Sequence, residues 1–73
     1  MENTVKETAS NYILGLVTAC VEAGEDGLVY HDAKAALEDL DGIISAVRSM
    51  TGASSDTIAH YCTMYQQEAL EQI

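Results

Sequence analysis

Two cysteines, two histidines and twelve carboxylates are the residues of this 73-residue chain with chemistry of their own. The cysteines are Cys20 and Cys62, and no Cys-x-x-Cys or His-x-x-x-His pair exists to start a zinc site. His60 and Cys62 are close in sequence. On a helix, however, their side chains point roughly 200° apart, so they cannot share a metal. Each cysteine falls in an apolar stripe, where a buried free thiol is the ordinary state. A disulfide between them would strengthen a small core, but the chain carries no sign of an oxidising compartment. No sequence neighbour suggests that either cysteine is activated, so a Cys-His nucleophile is not indicated. His31 and His60 read as surface or capping residues. Glycine-rich phosphate loops are absent. The expectation is a protein without catalytic residues, metal or cofactor, and not an enzyme.

The carboxylates carry the strongest signal. Twelve acids face only Lys6, Lys34 and Arg48, for a net charge of −9. A folded chain of this mass exposes roughly 4,400 Å², or about one net negative charge per 500 Å². Binding to phosphate needs clustered Lys and Arg, so direct contact with nucleic acid is not expected, nor is affinity for anionic membranes. A basic protein surface is the natural partner. The acids form groups: Glu22, Glu25 and Asp26; Glu38, Asp39 and Asp41; Glu68 and Glu71. At helical spacing each exposed like-charge pair costs a few tenths of a kcal/mol. The first two groups are the candidate partner-binding residues.

The elements that must hold these groups are helical. Apolar residues make up 48% of the chain and the mean hydropathy is +0.02, which separates it from disordered acidic tails. Pro, Trp and Phe are absent and the aromatics are four tyrosines. Ala, Leu, Glu and Gln favour helix, and no alternating run marks a strand. Three helices are predicted, over residues 4–23, 32–50 and 55–72, in a single domain. Thr4 to Glu7 reads as a capping box for the first and Gly24 as its stop. Leu28, Val29 and Tyr30 are expected to fold back over the bundle end, with a short hairpin as the alternative. Asp32 is the predicted N-cap of the second helix. Ala33, Ala36, Leu37, Leu40, Ile43, Ile44, Val47 and Met50 form its inward stripe, and Gly42 within it suggests close approach of a neighbouring helix. Gly52 and Ser54 or Ser55 separate the second helix from the third. Ile58, Tyr61, Cys62, Tyr65, Ala69, Leu70 and Ile73 form the third stripe.

Thr51 to Tyr61 resembles the turn and second helix of helix-turn-helix proteins. The outward positions would be Asp56, Thr57, Ala59, His60 and Thr63. Recognition helices place Arg, Lys, Gln or Asn there, and a carboxylate would repel phosphate. Stop and start signals between two packed helices account for the segment.

From Tyr12 to Ala23, nine of twelve residues are apolar, more than one stripe requires. Either this helix lies between the other two, or a second apolar face meets another subunit. The second option makes Tyr12, Ile13, Leu16, Val17 and Val21 a candidate oligomer interface, and a homodimer is expected. The expected architecture is all-α: a small three-helix bundle, or an antiparallel helical homodimer built from it. Val17-Thr18-Ala19-Cys20 resembles a lipobox, but the preceding segment lacks the basic charge of a signal peptide, and the expected location is cytoplasmic.

In size and charge the chain resembles small acidic proteins of phages and mobile elements, including anti-CRISPR and anti-restriction proteins. That resemblance is compositional and transfers no residue. It implies a stoichiometric inhibitor that docks on a basic nucleic-acid-binding surface of another protein. The alternative is a helical homo-oligomeric adaptor whose acids only keep it in solution. In a fluorescence titration at physiological salt, the purified chain should show no submicromolar affinity for duplex DNA. Such affinity would overturn the charge argument and revive the helix-turn-helix reading.

Overall fold

The computed structural model describes residues 2–24 and 27–73. The fold is all-α, 90% helical, with four helices and no strand among the described residues. They are α1 (Glu2–Ala23), α2 (Leu28–Glu38), α3 (Leu40–Thr51) and α4 (Ser55–Gln72). The accessible surface is 4537 Å², close to that expected of a compact monomer of this mass.

The predicted second helix is in fact two. Asp39 leaves helical geometry, with φ −90° and ψ 81°, and serves both as the C-cap of α2 and as the N-cap of α3. Its carboxylate accepts from the Gly42 N–H at 3.1 Å, and its carbonyl accepts from Ile43 N–H at 3.1 Å. The last carbonyls of α2 have no partner within their own helix. Inside the bundle, the Gln66 side-chain amide donates to the Leu37 carbonyl at 2.8 Å and fills that need. The break is therefore satisfied by Asp39 on the solvent side and by Gln66 on the core side.

Gly42 belongs to the same device. A Cβ there would lie 2.5 Å from the Asp39 carboxylate. The close approach is a local cap, not the neighbouring helix expected from the sequence.

Other boundaries also move. α1 starts by Glu2, so Thr4 lies inside the helix and caps nothing. α2 starts at Leu28 with Gly27 as an N-cap lacking any side-chain bond, so Asp32 is interior. Leu28 and Val29 form the exposed first turn of α2 instead of covering the bundle. Gly24 and Gly52 are left-handed, with φ 76° and 69°, as their positions after helices require. Of the two serines read as the start of α4, Ser54 is the cap, accepting from Thr57 N–H, and Ser55 is the first helical residue.

α1 is the central element. It packs against all three other helices, most extensively against α2 and α4. That placement accounts for its apolar excess within one chain. Ile13 and Val17 point into the core, as do Val5, Ala9 and Cys20. Tyr12 and Leu16 are half-buried against the same core. Of the five residues assigned to an oligomer interface, only Val21 is outward, and Leu14 joins it.

α1 and α4 run parallel. Lys6 lies over Tyr61, Ile13 and Val17 share a groove with Tyr65 and Ala69, and Cys20 and Val21 reach Gln72 and Ile73. α2 and α3 together form the return path. The core between them is made of Val, Ile, Leu, Ala and Cys, with Tyr61 the buried aromatic. Met50, predicted inward, is exposed.

The two interior glycines give a paired test. A Cβ at Gly15 meets nothing within 4 Å. Gly15→Ala should therefore stabilise the fold by about 0.5–1 kcal/mol. Gly42→Ala gains the same helix preference but displaces the Asp39 cap, so thermal melts should show no gain. Gln66→Ala, which leaves a buried carbonyl alone, should cost about 1–3 kcal/mol.

Candidate functional site

The nine carboxylates whose side chains are described are all exposed. The three cations do not neutralise them. Lys6 Nζ sits 5.5 Å from the Tyr61 ring centroid and Lys34 Nζ 6.0 Å from that of Tyr30. Arg48 donates from Nη1 to Ser55 Oγ at 3.2 Å and lies in the last turn of α3, where a cation suits the helix dipole. The three cations are themselves at least partly exposed, so the outward surface is strongly but not wholly negative.

The acidic groups read from the sequence lie at different places. Glu22 is in the last turn of α1. Glu38 ends α2 and Asp41 sits in the first turn of α3, both beside the break. Asp39 is exposed, but its carboxylate is the cap described above, so it is a structural residue before it is a contact residue. Glu25 and Asp26 lie outside the described residues. Leu37 pairs with Gln66, whereas the α1 end meets Gln72, six residues further along α4, about 9 Å of rise. The break and the α1 end are therefore separate acidic sites.

Several acids oppose the helix dipoles. α1, α2 and α4 have no basic residue in their last turns, and Glu22, Glu38 and Glu71 stand there instead. Carboxylates at a helix C-terminus face the dipole's negative end and weaken the helix. Folding stability does not account for them.

The remaining chemistry is quiet. Cys20 and Cys62 are free and buried. Cys20 Sγ donates weakly to the Tyr30 carbonyl at 4.0 Å. Burial pushes the Cys62 thiol pKa above its ordinary value, because a thiolate there would be desolvated. No group of three His, Cys, Asp or Glu residues fit to hold a metal exists among the described residues. His60 lies on an exposed face of α4 with Asp56, Ala59, Thr63, Met64 and Gln67, which carries no cation. His31 packs edge-on against Tyr30 at 5.6 Å. No helix among the described residues is long and apolar enough to cross a membrane.

No family model matches the chain, and no curated protein or solved structure is similar to it.

Two measurements follow. Glu71→Lys puts a cation at the end of α4 and should raise stability by a few tenths of a kcal/mol, seen as a higher Tm that salt diminishes. The Cys62 shift has a definite sign. A raised folded pKa means that the native state holds its proton more tightly than the unfolded chain. That stability is fully present below the ordinary thiol pKa and is lost as pH rises through the raised one. Cys62→Val should therefore lose less stability than the parent between neutral and strongly alkaline pH.

Proposed function

We propose that the protein is a stoichiometric binding module that docks on the basic nucleic-acid-binding surface of another protein and blocks it. The observation that carries this reading is the strongly negative exterior: every described carboxylate is exposed, and only three cations stand against twelve acids in the chain. An exterior of this kind steers encounter with a basic partner and offers carboxylates where phosphates would sit. The acids placed against the helix dipoles support the reading, since they serve the surface at the expense of the helices. Within the class, the mode of action is that of the acidic counter-defence proteins of phages that the chain resembles in size and charge. No catalytic step, metal or cofactor is part of it, and its setting is cytoplasmic.

A self-associating adaptor is the second reading. Leu14 and Val21, 58% and 70% exposed on α1, are the observation in its favour. Against it stands the repulsion between two chains of −9 each.

The test uses the immobilised chain and a bacterial lysate. Retained proteins should be nucleic-acid-binding, and both added duplex DNA and high salt should displace them. The triple reversal Glu22→Lys, Glu38→Lys, Asp41→Lys, which spares the Asp39 cap, should abolish retention while leaving helix content intact. Retention indifferent to DNA and to the reversal, but lost with Leu14→Ser and Val21→Ser, would move the assignment to the adaptor. Light scattering would then report a mass above the monomer's 7.8 kDa.

A further inference from the structure

Because α1 and α4 are parallel, they end side by side. Between their last turns and α2 lies a pocket of about 250 Å³, lined by Cys20, Val21, Gly24, Tyr30, Gln72 and Ile73. Its inner wall is the buried Cys20 with half-buried Tyr30 and Ile73, and Val21 forms an exposed lip. Leu28 and Val29, 83% and 60% exposed, begin α2 just before Tyr30. The pocket is smaller than a drug-sized ligand needs. Its scale suits one large side chain, the form an interface anchor takes.

The electrostatics of this end select the occupant. The negative ends of two helix dipoles meet here, and neither α1 nor α4 supplies a cation in its last turn. Glu22 and Glu71 stand there instead, both exposed. Positive charge brought from outside would meet two carboxylates and the negative ends of two helix dipoles. A second copy would bring the same carboxylates and its own −9, so it is the wrong occupant. The break at Asp39 is acidic too, but its central carboxylate is occupied as a cap.

We infer that this pocket is the centre of the docking surface, and that it takes an apolar side chain flanked by arginines from a basic protein segment. The inference rests on the basic-surface reading and adds where the contact is centred and what anchors it.

The test uses the full chain, isotope-labelled for NMR, with three end-capped pentapeptides: Arg-Arg-Trp-Arg-Arg, Arg-Arg-Ser-Arg-Arg and Glu-Glu-Trp-Glu-Glu. The first should move the amide resonances of Val21, Gly24, Tyr30 and Gln72, and should bind at least about tenfold more tightly than either of the others. Val21→Ser should weaken it by about fivefold or more, and so should Glu22→Gln combined with Glu71→Gln. These side chains are exposed, so helix content should not change. If both arginine peptides bind equally and move only residues around Glu38 and Asp41, the pocket is not the centre, though the basic-surface reading stands. If neither arginine peptide binds, both fall. Equal binding of the glutamate peptide would overturn the choice of a basic occupant. Shifts of the pocket resonances with protein concentration alone would assign the pocket to a second copy.

Discussion

The Gln66 amide resting on the Leu37 carbonyl is the contact on which the return path depends. A helix broken in the middle of a bundle leaves carbonyls facing the core, and a carbonyl without a donor there would cost about 1–3 kcal/mol. Gln66 supplies the donor from α4, and it is the buried polar residue of an otherwise apolar core. Among the described residues, no buried side-chain polar atom lacks a hydrogen-bond partner. With the core side satisfied, Asp39 can redirect the chain from the solvent side. α2 and α3 then both pack on α1, the 22-residue spine of a molecule 38 Å long.

The surface follows different priorities from the interior. A domain this small has a few kcal/mol to spare, and a design for stability alone would set cations at helix ends and pair charges along helix faces. The chain sets a cation at one helix end, Arg48 in the last turn of α3, and leaves the ends of α1, α2 and α4 without one. Lys6 and Lys34 lie against tyrosine rings, and three of its acids, Glu22, Glu38 and Glu71, stand at helix ends that disfavour them. The interior is conventional, and its described buried side-chain polar atoms are all partnered. The departures from local rules gather at the exterior, where a binding function belongs.

Much of this architecture was legible in the residues. Gly24, Gly52 and Ser54 act by local backbone chemistry, so their roles survive any packing. The inward stripes were legible too, because burial follows the helical period. The break at Asp39 was hidden by that same period: Leu37, Leu40, Ile43 and Val47 keep a helical spacing across it, since both helices face one core. The available signal was local, an Asp followed three residues later by a Gly that leaves room for its carboxylate. Gln66 was missed because a polar residue in an apolar stripe reads as an exposed one. The apolar excess of α1 had two meanings, and only the positions of its neighbours could choose between them. The acidic groups were visible as composition. The pocket was not, because it exists only where two parallel helices end together.

The placement of the cations has a consequence for how the chain is destroyed. A protease that cuts after lysine or arginine finds three sites, Lys6, Lys34 and Arg48, one each in α1, α2 and α3. A helical backbone does not fit such an enzyme's extended cleft. Cutting therefore samples opened forms, at rates set by how often each helix unravels. The chain carries three built-in reporters of local opening, and α4, which holds the return path together through Gln66, is the helix without one.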